Sequence, residues 1–95
     1  MEWIVRIEGE NEKVERIRIV FDPMAEKIHF YGEFKPHNKS WEVFSEYIHE
    51  MEIDLDTMKE MMEKCVVTMR KRVKEYENLD KGFSVLKWVG FEEED

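Results

Sequence analysis

Seven polar residues, Arg6, Arg16, Arg18, Lys27, His29, Tyr31 and Lys35, interleave with apolar ones in the first third of this chain. Side chains alternate along a strand. Burying Val5, Ile7, Ile17, Ile19, Phe21, Ile28 and Phe30 therefore forces those seven onto the opposite side. Five are formal cations and only Glu8 and Glu33 offset them, which leaves +3 on that face against −11 on the rest of the chain. Segregated positive charge beside an imidazole and a phenol suits an anionic ligand or a nucleic-acid backbone. Arg6, Arg16, Arg18, Lys27, His29 and Tyr31 are the candidate ligand face. The competing account, which the sequence favours, is a solvated sheet face whose charge discourages edge-to-edge aggregation.

Other constellations carry less. Glu46 and His49 have the spacing that puts a carboxylate and an imidazole on one side of a helix, as di-iron sites require. Such sites need two pairs and two further carboxylates, and this chain holds one pair. No metal and no cofactor are expected, and His29, His37 and His49 form no ligand spacing. Arg70, Lys71, Arg72 and Lys74 spread around a helix and oppose its dipole, the ordinary place for cations in its last third. Ser40, Ser45 and Ser84 lack a nucleophile elbow, and the four glycines are too dispersed to cradle a phosphate. Enzyme is the least expected class.

The chain has 95 residues, enough for one domain with a core. Its net charge of −8 makes it soluble and disfavours bulk nucleic-acid binding. No apolar run reaches the roughly 20 residues of a membrane span, and Met1-Glu2-Trp3 lacks the basic start of a signal peptide. The single cysteine, Cys65, allows no internal disulfide and reads as a small buried hydrophobe. An intracellular, cytoplasmic protein is expected. Charge comes mostly from Glu and Lys, with no Gln and little Asn, the balance of high-temperature proteins. In this general style, over its whole length, the chain resembles the small uncharacterised proteins of hyperthermophilic archaea. That resemblance implies no activity.

The elements that would position these residues follow from periodicity. Trp3 to Ile7, a stretch around Ile17 to Phe21 and another around Ile28 to Phe34 alternate as strands, with Asp22-Pro23 as a preset turn. Ser40 offers a cap for a short helix lined by Trp41, Phe44, Tyr47, Ile48 and Met51. The longest helical stripe runs from Leu55 to Leu79 through Met58, Met61, Met62, Cys65, Val66, Met69, Val73 and Tyr76. Four methionines on one face invite the reading of an adaptable binding groove, but ordinary core packing explains them more simply. Asp54 or Asp56 caps this helix and Gly82 ends it. A break near Ile53 to Asp56 keeps it apart from the shorter one. Phe83 to Phe91 reads as a fourth strand, apolar on both sides, so that one side is covered or meets a partner.

The expected fold is α+β: an antiparallel three-stranded meander, a short helix, a long amphipathic helix packed on the sheet, and a C-terminal fourth strand. Residues 1–91 form a single domain and 92–95 an acidic tail. The expected function is a non-catalytic structural or protein-interaction module that binds a protein partner or itself, using Val67, Trp88 and Phe91, with no membrane role. Two alternatives stand beside it: anion or nucleic-acid binding through the basic face, and an acidic mimic of nucleic acid that occupies another protein.

Overall fold

The computed structural model describes residues 1–8, 14–36 and 40–94, with side chains for residues 1–7, 14–36 and 40–78. Four strands, β1 (Glu2–Glu8), β2 (Val14–Asp22), β3 (Lys27–Phe34) and β4 (Glu42–Glu50), precede one helix, α1 (Leu55–Glu94). The strands form one antiparallel sheet in the order β1-β2-β3-β4. The first three run as their alternation predicts. Asp22 closes the β2–β3 turn by accepting the Ala25 amide at 3.1 Å, and Glu26 completes it with φ of 54°.

Two expected elements are corrected. The short helix from Trp41 to Met51 is instead β4, and the C-terminal strand from Phe83 to Phe91 is instead part of α1. The first error has a specific origin. Gly32 pairs with Ser45 and Glu33 with Val43, so a bulge leaves Phe44 as an extra residue. The bulge shifts the strand's phase by one, bringing Phe44, Ser45 and Tyr47 to one side with spacings that imitate a helix. Val43, Phe44, Tyr47 and Ile48 are strand formers, and the open edge of β3 supplies backbone partners that a lone helix could not use. The second error gave too much weight to Gly82. A lone glycine costs a helix only about 1 kcal/mol, and α1 runs straight through it.

The start of α1 is as expected. Asp54 Oδ1 accepts the Thr57 amide at 2.6 Å, and the Met58 amide bonds to the Asp54 carbonyl at 3.0 Å. That amide bond holds the exposed Asp54 carboxyl below its usual range.

α1 lies across β3 and β4 and touches β2 marginally, and from β1 Ile7 packs against the core beneath it. Its inner face buries Cys65, Met69 and Val73 against Ile17, Ile19, Ile28, Phe30 and Phe34. Met58, Met61 and Met62 pack at the edge of this core, in agreement with the packing reading of the methionines. Gly32 sets how closely the helix approaches. A Cβ there would collide with Ser45 Oγ and lie 2.9 Å from Met69 Cβ and 3.1 Å from the Cys65 carbonyl oxygen. Ser45 Oγ donates to that carbonyl at 2.7 Å, and Cys65 Sγ donates to the Phe30 carbonyl at 3.6 Å. Tyr47 Oη and Thr68 Oγ1, 2.7 Å apart, add a further bond between sheet and helix.

The helix outruns the sheet. Forty residues at about 1.5 Å each reach about 60 Å, whereas a nine-residue strand spans about 30 Å. The molecule measures 62 × 27 × 21 Å with a radius of gyration of 17.4 Å, against the roughly 12 to 13 Å of a compact chain this long.

Candidate functional site

The outer sheet face, away from α1, assembles in cross-strand rows. Arg6 pairs with Arg16 and Arg16 with Glu33; Ile4 pairs with Arg18 and Arg18 with Tyr31, which faces Glu46; Val20 pairs with His29, which faces Ile48; Asp22 pairs with Lys27, which faces Glu50. All six predicted ligand residues therefore share one face. What the sequence reading missed is the contribution of β4, whose Glu46 and Glu50 come to the same face because this segment is a strand. Glu2 and Asp22 also lie there. Glu2, Asp22, Glu46 and Glu50 are carboxylates that the +3 did not count, so the expected positive excess is gone.

Charge is partnered differently along the face. At one end lie Lys27 and His29. Lys27 is paired with Glu50, and His29 Nδ1, which has no hydrogen-bond partner, lies 3.7 Å from Glu46 Oε1, beyond hydrogen-bond reach. The rings of His29 and Tyr31 stack with centroids 6.0 Å apart. Burial pushes the Tyr31 phenol upward, and Glu46 adds to this while Arg18 opposes it. At the other end, one buried carboxylate oxygen, Glu33 Oε1, accepts from Arg16 Nε at 2.9 Å and from Arg18 Nε at 3.2 Å. Each guanidinium also sits over an aromatic ring: Arg16 is 4.0 Å from the centroid of Trp41, and Arg18 is 4.5 Å from that of Tyr31. The alternate polar positions made Glu33 visible in the sequence. The periodicity of the sequence puts Trp41 in a helix core, and nothing in its neighbours announces a cation partner.

The second site is the bare half of the inner face. Four strands about 4.8 Å apart make a sheet wider than one helix of about 10 Å can cover. Because α1 sits over β3 and β4, two of the three inner residues of β1 stay largely in solvent, Trp3 52% and Val5 38% exposed, while Ile7 packs against the core. The Trp3 ring meets Phe21 edge-on with centroids 5.1 Å apart, so these side chains form an ordered apolar surface. Leu55 and Val67 are also exposed, at 66% and 68%, and the predicted association residue Val67 is thus placed on the solvent side of α1. Trp88 and Phe91 belong to α1, but their side chains lie outside the described residues.

The remaining candidates separate. Glu46 and His49 point to opposite faces of β4, since residues three apart alternate on a strand, and His49 Nδ1 lies 3.0 Å from the Glu50 carbonyl. Among the described residues no three metal-ligating side chains cluster. Of the basic run, Arg70 donates to the buried Glu15 at 3.0 Å and Arg72 to the Phe44 carbonyl at 3.0 Å, so two of its four cations tie helix to sheet. Cys65 is buried, which pushes its thiol upward and away from a reactive thiolate. Among the described residues no helix is long and apolar enough to cross a membrane. Comparison with protein families, curated proteins and solved structures gives no match.

Proposed function

We propose that this protein is a non-catalytic structural or interaction module that associates with a second copy of itself through the half of the sheet that α1 leaves bare. One observation carries the reading: Trp3 and Val5 are exposed on the same face whose other half, under α1, is fully packed. A sheet face with apolar residues in register with a buried core is incomplete as a surface. The length of α1 supports a second copy as the occupant. The helix continues about 30 Å past the span of a strand, through a stretch of sequence that is apolar on every side, and such helices are normally covered. The same chain thus carries an uncovered sheet and an overlong helix. A two-fold arrangement would satisfy both, because each copy offers what the other lacks.

Light scattering on a size-exclusion column, at low and at moderate salt, tests this. A dimer or larger assembly whose mass ignores salt is expected, since the surface is apolar. Val5→Lys on the inner face should yield monomer, while Ile48→Lys, 54% exposed on the outer face, should leave the mass unchanged. A wild-type monomer, or equal effects of the two substitutions, would refute the reading.

A further inference from the structure

The geometry points to a binding site for a phosphate carried on an aromatic base, of mononucleotide size, in the cleft between Arg6, Arg16 and Trp41 on the outer face. Arg6 and Arg16 are directly opposed across β1 and β2. Like charges in that position repel, and an anion between them removes the repulsion. Arg16 is already fixed in orientation, held from one side by Glu33 at 2.9 Å and stacked 4.0 Å from the Trp41 centroid. Its Nε serves Glu33, which leaves the two terminal nitrogens for a ligand, and a guanidinium that does not have to be ordered binds with less entropic loss. Among the described residues no carboxylate is paired with Arg6.

Beside this pair, at the end of β1 and β2, lies a cleft of about 480 Å³, lined by Ile4, Ile7, Val14 and Trp41 as well as the two arginines. Clefts of about 300 to 1,000 Å³ hold small ligands, and this one joins apolar surface to two cations. Glu15 also borders it, but its carboxylate accepts from Arg70 at 3.0 Å. The phosphate takes the terminal N–H groups of Arg6 and Arg16, and the base packs on Ile4 and Val14, beside the Trp41 ring that Arg16 covers. The footprint is short. Glu46 and Glu50 place negative charge at the other end of the face, and a chain with net charge −8 repels a long polyanion.

Calorimetric titration of the full chain with AMP, adenosine, inorganic phosphate and a single-stranded oligonucleotide about ten nucleotides long tests the site. AMP should bind at one site, and adenosine or phosphate alone at least about tenfold more weakly, because each keeps only half of the contacts. Arg6→Gln should lower AMP affinity about tenfold with an unchanged urea midpoint, and Lys27→Gln should change neither. Tighter binding of the oligonucleotide, lost in Arg6→Gln and falling with salt at a slope of several, would identify single-stranded nucleic acid as the source of the phosphate. Oligonucleotide affinity no better than that of AMP would identify a free nucleotide. No saturable binding of either ligand, or wild-type affinity in Arg6→Gln, would overturn the assignment.

Discussion

Gly32→Ala should destabilise the protein, although replacing glycine by alanine inside a strand normally does the reverse. The ordinary gain is about 0.5 to 1 kcal/mol, because the unfolded chain loses less entropy. Here the added methyl enters the contact between β3 and α1. It collides with Ser45 Oγ, falls 2.9 Å from Met69 Cβ and 3.1 Å from the Cys65 carbonyl oxygen. Two of these atoms are not the flexible ends of side chains, so the helix or the strand must shift, and overpacking of this kind costs about 1 to 3 kcal/mol. Moving Ser45 also breaks its 2.7 Å bond to the Cys65 carbonyl, a further loss of about 0.5 to 1.5 kcal/mol. The expected net loss is about 2 kcal/mol, and with a urea slope a little above 1 kcal/mol per molar the midpoint falls by about 1.5 M. Urea unfolding followed by circular dichroism at one fixed protein concentration measures it. Adding Ser45→Ala to Gly32→Ala should recover part of the loss, since it removes the nearest obstacle. A midpoint equal to or above wild type would show that α1 does not rest on Gly32, and the packing derived above would fall with it.

Two further outcomes follow from single positions. Glu26 holds φ of 54° at the β2–β3 turn, a conformation that costs a side-chain-bearing residue about 1 to 2 kcal/mol; Glu26→Gly should raise stability by up to about 1 kcal/mol, and a lowered urea midpoint would contradict the turn geometry. Burial raises the Cys65 thiol above its ordinary value of 9.0, so the folded state retains the proton longer than the unfolded state does. Its contribution is complete below that value and is lost as pH rises through the higher folded one. The wild type should therefore lose more stability than Cys65→Ala between neutral and strongly alkaline pH. Parallel curves for the two proteins would refute burial of the thiol.

Much of the molecule was determined by local sequence. Alternation in Trp3 to Ile7, Ile17 to Phe21 and Ile28 to Phe34 specified three strands and the faces of their residues, because a period of two has one geometric solution once one side is buried. Asp22-Pro23 specified a turn and Asp54 a helix start, because caps and turns use hydrogen bonds between near neighbours. The outer face of Arg6, Arg16, Arg18, Lys27, His29 and Tyr31 was legible for the same reason.

Tertiary structure decided the rest. Between Trp41 and Met51 helix and strand periodicities both fit, and pairing with the open edge of β3, with a bulge at Phe44, selected the strand. That choice carried Glu46 and Glu50 onto the outer face and Trp41 onto Arg16, so both the charge of the site and its shape rest on a partner strand. The Phe83 to Phe91 stretch has strand-forming residues but lies in α1; strand propensity expresses packing against neighbours rather than a property of the segment alone. The exposure of Trp3 and Val5 was likewise beyond any local pattern. Alternation tells which side of a strand is apolar, but how much of a four-stranded face one helix covers is a matter of widths in three dimensions.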